Sequence, residues 1–305
     1  MSKITFVVDG GSKLGMGHVV HSLTLAEELR GKAEISLVTC SNKMTMAMWE
    51  AASFDCQYAK TNKGRVSRLE AIRPQIVIVD RLEVDAGFAY WVRHGLGARL
   101  AIMNCITKDA LTVADLVVCA FAPGCDAYGP GNRRDRKMVY DSTGDYPALW
   151  MTGPRYWVLR REFYLAERDE EAISILVRIG GSDSKATASA IKDVLAGQEV
   201  TVITSMDLSA SDMVQTMIKA RVAICSPGLT PFEALLVGTP VIIIPQNEVQ
   251  RLAYNTMPLL EKEDIGKLPS MIERGEFIRP DSPVVKAMQI GQGKHEVIEA
   301  IEAWL

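Results

Sequence analysis

His18 stands where residue type and spacing most favour chemistry in this sequence. It follows Gly15-Met16-Gly17 and opens the run His18 to Leu29, which reads as an amphipathic helix. The positive end of a helix disfavours the protonated form of a histidine placed there, and a neutral imidazole accepts a proton from water or a hydroxyl. The ordinary alternative is a histidine that caps the helix. The glycines around it favour a functional role, because Gly10, Gly11, Gly15 and Gly17 let a ligand approach the backbone closely. Asp9 ends the preceding apolar run and has two open readings: a catalytic carboxylate beside His18, or the group that holds the Gly10-Gly11 turn by accepting from its N–H groups. His21 lies three residues beyond His18, but no third ligand is evident nearby, so no metal is expected.

A second set of residues lies in the other half of the chain. Gly180-Gly181-Ser182-Asp183 follows the apolar run ISILVRI, and Ser182 or Asp183 either caps the next helix or meets a phosphate or sugar hydroxyl. Further on, Ser226-Pro227-Gly228-Leu229-Thr230 leads to Pro231, expected at a helix's first position. Thr230 is the expected N-cap and Glu233 its capping-box partner. Capping accounts for Thr230 and Glu233 but not for Gly228, nor for the later loop carrying Gln246, Asn247 and Gln250. Together these residues point to a pocket that holds a diphosphate at the helix N-terminus and a ribose beside Glu233. Neither turn is a GxGxxG or a GxxxxGK[ST] motif, so a nicotinamide cofactor or ATP is not the first choice and no cofactor is expected. Two further charged places are open to either reading. Asp80-Arg81 closes the run IVIVD, where a strand end faces a ligand cleft or is simply solvated. Arg155, Arg160, Arg161 and Glu162 lie among aromatic residues in GPRYWVLRREF, where a seam with packed arginine stems is expected.

Short apolar runs with helical segments between them position these residues, the pattern of parallel strands with crossover helices. The expected strands are Ile4 to Val8, Glu34 to Thr39, Ile76 to Val79, Leu100 to Met103 and Leu116 to Cys119 in the first half. In the second half they are Ile173 to Ile179, Val200 to Thr204, Val222 to Ile224 and Val241 to Ile244. Ala122 to Arg161, rich in Gly, Pro and charge, is expected to be an irregular linker. Three parts follow: an N-terminal Rossmann-like domain over 1–155 on the sugar or acceptor side, a C-terminal Rossmann-like nucleotide-binding domain over 156–290, and a terminal helix over 291–305.

Composition agrees with two domains, since 305 residues exceed what one core usually organises. The formal net charge of -3, with acids and bases interspersed, offers no basic stripe for nucleic acid. No apolar run approaches the roughly 18 residues of a membrane span. MSKITFVVDGG lacks the features of a signal peptide, so a cytoplasmic protein is expected. The six cysteines have no CxxC spacing, which favours reduced thiols over a zinc site or disulfides.

The combination VDGGSKLGMGHVVHSLTLAEEL, GPRYWVLRREF, VRIGGSDSK and SPGLTPFEALLVGTPVIIIP resembles one family in order along most of the chain. It is similar to the UDP-sugar hydrolases of the pseudaminic acid pathway and to the related spore-coat polysaccharide proteins. These are similar in fold to the N-acetylglucosaminyltransferase of lipid II synthesis. The resemblance implies a GT-B fold: two Rossmann-like domains with parallel sheets facing across a cleft, UDP held mainly by the second and the sugar between them. It implies that His18 helps water attack the anomeric carbon, releasing UDP and free sugar in surface-glycan or nonulosonic acid biosynthesis. It implies no metal. The chain departs from the family's RxD at Val7-Val8-Asp9 and from GHxxR at Gly17-His18-Val19-Val20-His21, so two arginines are absent. Leu82 and Val249 stand where the family carries a tyrosine and an asparagine. Hydrolysis of a UDP-sugar is therefore the leading expectation, with transfer of the sugar to an acceptor hydroxyl and non-catalytic nucleotide-sugar binding as the alternatives.

Overall fold

The computed structural model describes residues 1–11, 15–41, 43–121, 137–140, 147–169, 171–180, 184–203, 209–254 and 257–305, with backbone alone at 137–140, 147–148 and 184. The chain divides into two compact units, Met1–Val158 with Gly291–Leu305, and Leu159–Ile290.

The first unit holds β1 (Lys3–Val8), β2 (Glu34–Thr39), β3 (Asp55–Tyr58), β4 (Ile76–Asp80), β5 (Arg99–Met103), β6 (Leu116–Cys119), β7 (Lys137–Tyr140) and β8 (Pro147–Thr152). They form one sheet in the order β3-β2-β1-β4-β5-β6-β8-β7. Every pairing is parallel except β7 with β8. Apolar residues run consecutively along the central strands because both sheet faces are covered. Val7, Val77, Val79, Leu100, Ile102 and Val117 belong to one buried cluster with Leu69, Ala89 and Val92 from the helices. The chain runs outward from β1 to β3 and returns to β4 on the other side of β1, so the strand order reverses between β1 and β4. Ligands of open parallel sheets bind beyond the strand C-termini at such a reversal.

The second unit holds β9 (Ser174–Arg178), β10 (Val200–Val202), β11 (Ala220–Cys225) and β12 (Val241–Ile243), all parallel in the order β10-β9-β11-β12. Its reversal lies between β9 and β11. Ile175, Val177, Val222, Ile224 and Ile242 form its core with Ile191, Leu195 and Leu268 from the helices.

Three sequence expectations change. The edge strand β3, sequence DCQY, carries no apolar run to reveal it, because an edge strand is covered less than a central one. Within 122–161, expected to be irregular, β7 and β8 extend the first sheet, and β8 pairs in parallel with β6 from Leu116↔Leu149 to Cys119↔Thr152. Pairing supplied by the existing sheet edge outweighs the local Pro and Gly content. Val200–Val202 is shorter than expected, and Thr204 lies outside the described residues.

The terminal helix Lys294–Glu302 joins the first unit, burying Val297 and Ile301. Lys294 Nζ donates to Glu28 over 2.7 Å, and the N–H groups of Gly291 and Gly293 donate to the carbonyls of Pro154 and Arg155. Among the described residues no helix is long and apolar enough to cross a membrane. The five cysteines described are free thiols; Cys125 lies outside the described residues.

Candidate active site

His18 lies in the first turn of the helix Gly17–Glu28, which begins beyond β1, and Asp80 is the last residue of β4. The two therefore flank the reversal of the first sheet. His18 Nδ1 lies 2.6 Å from Asp80 Oδ1, His21 Nδ1 lies 2.6 Å from Asp80 Oδ2, and Ser22 Oγ donates to Oδ2 over 3.1 Å. Asp80 is 0% exposed. Burial alone pushes its carboxyl up, but the facing imidazoles of His21 and His18, with their hydrogen bonds, hold it well below the usual carboxylate range. An ionised carboxylate only accepts, so both imidazoles donate from Nδ1. His21 Nε2 then accepts the Val158 N–H at 3.4 Å, and its ring meets Trp157 edge to face at 5.4 Å. His18 has a side chain 21% exposed, and its Nε2 is left carrying the lone pair. A histidine so oriented can take a proton at Nε2.

This cluster gathers residues that the sequence shows apart. His18 and His21 sit one helical turn apart, and Asp80 is no solvated strand end. The legible signal was an HxxHS pattern opening a helix together with an aspartate closing a buried strand. The histidines converge on one carboxylate, each bringing Nδ1 to its own oxygen. Val7 lies in the core and His21 in this cluster.

Asp9 does not hold the glycine turn. Its Oδ1 accepts from Cys40 N at 2.7 Å and Thr39 Oγ1 at 3.2 Å; its Oδ2 faces Arg65 at 2.7 Å and Arg81 at 3.0 Å. Burial raises its carboxyl, and the two guanidinium groups, with the Cys40 N–H, overcome that and hold it low. With both oxygens engaged by this chain, Asp9 ties β1 to β2, to the helix Asn62–Ile72 and to the end of β4.

The first turn's glycines are likewise used internally. Gly11 and Gly15 exchange backbone hydrogen bonds at 3.0 and 2.7 Å, and the Gly10 N–H donates to Ser41 Oγ at 2.7 Å. A Cβ on Gly10 would meet Val19 Cγ2 at 2.4 Å and Met16 Sδ at 2.9 Å, so this glycine allows the helix to start against the strand. Gly17 is the first helical residue, and among the described residues no side chain caps this helix start.

In the second unit, Gly180 follows β9 and Ser226 follows β11, so they too flank a reversal. The Gly180 N–H donates to Ser226 Oγ over 2.9 Å. Gly181, Ser182 and Asp183 lie outside the described residues. The helix spans Leu229–Leu236 with Gly228 as N-cap, so Thr230 is not the cap and Pro231 is the third helical residue. Gly228 at φ 150 takes a conformation side chains disfavour, and Tyr254 Oη accepts its N–H and donates to its carbonyl. Among the described residues no side chain caps this helix start.

Glu233, 3% exposed, makes no capping box. Its Oε1 accepts from Arg160 Nε at 3.0 Å and Nη2 at 2.9 Å. Burial raises its carboxyl, with Arg160 and then Arg178 opposing. Arg160 thus pairs with Glu233 inside the second unit, and its guanidinium lies over the Phe163 ring at 4.7 Å. Gln250 Oε1 accepts the Gln246 N–H at 2.8 Å and Asn247 caps Gln250 N at 2.9 Å, which shapes the loop beyond β12.

Two Rossmann-like parallel-sheet domains, each with a helix start beyond its strand reversal, give the chain the GT-B type of fold. Solved structures share it across nearly the whole chain. MurG of Acinetobacter baumannii aligns with a TM-score of 0.61 at 14% identity, covering 99% of this chain and 100% of that one. Anabaena Alr3699/HepE in complex with UDP-glucose aligns at 0.59 and 12%, with 99% and 100% covered. UDP-GlcNAc 2-epimerase of Neisseria meningitidis bound to UDP-GlcNAc aligns at 0.60 and 10%, with 98% and 99% covered. At these identities the likeness is one of fold. By sequence the chain is 28% identical to the uncharacterized protein MJ1062 of Methanocaldococcus jannaschii over 98% of its own length, and spans 66% of that protein. It is 24% identical to the spore coat polysaccharide biosynthesis protein SpsG of Bacillus subtilis, over 81% of this chain and 78% of that one. No protein-family model matches.

Proposed function

We propose that this protein cleaves a UDP-sugar at the anomeric carbon, releasing UDP and free sugar in the building of a surface polysaccharide. The observation that carries the reading is the 2.6 Å contact of His18 Nδ1 with the buried Asp80 carboxylate, which leaves Nε2 as a base. Water attacks the anomeric carbon while His18 Nε2 takes its proton. The bond from that carbon to the diphosphate oxygen breaks, and UDP departs with the bonding pair. The positive start of the helix Leu229–Leu236 receives the diphosphate and stabilises the charge that gathers on it. Gly180 and Ser226 shape that place, and Glu233, held on one oxygen by Arg160, offers the other to the ribose hydroxyls. Asp80 is a positioning residue and Asp9 a framework residue. UDP-glucose and UDP-GlcNAc bound to proteins of the same fold support the nucleotide, and the likeness to SpsG supports the polysaccharide setting.

That likeness also favours a second reading, transfer of the sugar to an acceptor hydroxyl with His18 as the base. Incubation with a panel of UDP- and CMP-sugars in water enriched in heavy oxygen, without acceptor, separates the two by NMR and mass spectrometry. Heavy oxygen in the released sugar establishes hydrolysis. Binding of UDP without release rejects hydrolysis in favour of transfer or of a non-catalytic binder.

A further inference from the structure

We infer that the first unit carries a separate binding site for a small acidic sugar or sugar phosphate, in a cavity of about 300 Å³ between the starts of the helices Asn62–Ile72 and Ala86–Tyr90. The ligand's anion meets Lys63 and Arg81, with the charge of Arg65 behind them, and its ring lies against Phe88 and Trp91.

The cations of this cavity are only partly used by the chain. Arg65 is 1% exposed; its Nη1 donates to Asn62 and its Nη2 to Asp9, while Nε is buried with no acceptor among the described residues. Arg65 is therefore held inside the chain and adds its charge to the cavity from behind the surface that a ligand would touch. Arg81 faces Asp9 through Nε at 3.0 Å, and its terminal amino groups have no hydrogen-bond acceptor among the described residues. Burial and then the like charge of Arg65 depress Arg81, a stress that an arriving anion relieves. Lys63 has no ion-pair partner among the described residues and stands at the second position of its helix, where the macrodipole adds to its charge. Against these stand Asp9, behind the two arginines, and Asp85, whose Oδ1 caps Phe88 N at 2.7 Å. Three cations facing two carboxylates leave the cavity positive.

The apolar wall selects the rest of the ligand. The rings of Phe88 and Trp91 lie 6.1 Å apart at 30° and present a platform of the kind on which sugar rings stack. A Cβ on Gly95 would meet Trp91 Cδ1 at 2.6 Å, so that glycine keeps room for the indole. A neutral sugar would satisfy the wall and leave the cations bare; a free inorganic anion would do the reverse. The site is distinct from the His18 cluster and does not depend on the catalytic reading.

Calorimetric titration of the full chain with glucuronate, glucose 6-phosphate, inorganic phosphate and glucose tests the inference. Saturable binding of one or both sugar acids is expected, with glucose silent, and the better of the two tells carboxylate from phosphate. Arg81→Ala, and independently Lys63→Ala at an exposed position, are each expected to weaken that binding about tenfold. Trp91→Ala is expected to weaken the sugar acids while sparing inorganic phosphate. UDP affinity is unchanged in all three variants if the site is separate. Absence of saturable binding by any acid, or binding that survives Arg81→Ala and Lys63→Ala undiminished, overturns the inference and leaves the proposed cleavage untouched.

Discussion

His18 and Asp80, 62 positions apart in the chain, meet at 2.6 Å because one opens the helix after β1 and the other closes the neighbouring strand β4. The buried carboxylate holds the imidazole in one tautomer, as an orienting group must when a histidine acts as base. Asp80→Asn presents an amide N–H₂ to one of the two histidines and removes that control. The expected result is a fall in UDP release of about 10²- to 10⁴-fold, with UDP affinity unchanged. His18→Ala should lose a similar amount, and the double variant little more, because the pair acts as a unit. Wild-type turnover by Asp80→Asn would show that the carboxylate does not orient the base.

Acid sensitivity follows from the two depressed carboxylates. Asp9 and Asp80 both have folded-state values below the ordinary 3.8, so the stability they contribute is complete above that value and is lost as pH falls below it. Each contributes a slope of at most about 1.4 kcal/mol per pH unit in that window. Urea midpoints measured from neutral to about pH 2.5 should fall steeply below pH 4 in the wild type, and less steeply in Asp80→Asn. Equal acid slopes in the two proteins would contradict the assignment.

Gly10→Ala tests the seat of the helix that carries His18. The added methyl group meets Val19 and Met16 at clashing distances and pushes the helix start from the strand. A loss of about 1–3 kcal/mol in stability is expected, together with reduced turnover, because His18 rides on that first turn. Gly17→Ala has open space at its Cβ and should fold normally. Unfolding by denaturant and UDP release, measured on both variants, separate packing from ligand approach.

Arg160 and Glu233 should behave as a buried pair. Burial already raises Glu233, with Arg160 the foremost opposing charge, so Arg160→Ala raises it further. A folded value above the ordinary 4.5 makes stability fall as pH rises from there to the folded value. Arg160→Ala should thus be near wild-type stability in mild acid and about 3–5 kcal/mol weaker at neutral pH. Adding Glu233→Gln should recover part of that loss and leave UDP binding weakened. Denaturant titrations at both pH values on the single and double variants check the coupling.

The sequence by itself determined the two parallel sheets, because strands covered on both faces must be apolar at consecutive positions and the helices between them carry their own periodicity. It also placed His18 at a helix start and marked the glycine turns after β1, β9 and β11. It did not reveal β3, β7 or β8, whose pairing comes from a neighbouring sheet edge rather than from their own residues. The partners of the polar groups were decided by tertiary structure alone. Asp9 lies close in sequence to the glycine turn and Glu233 to Thr230, yet Asp9 faces Arg65 and Arg81 while Glu233 faces Arg160. Local spacing proposes a cap or a turn for such residues. Burial overrides it, because a carboxylate removed from water takes whichever cation or N–H group the fold brings within reach, and parallel crossovers bring together strand ends that are distant in the chain.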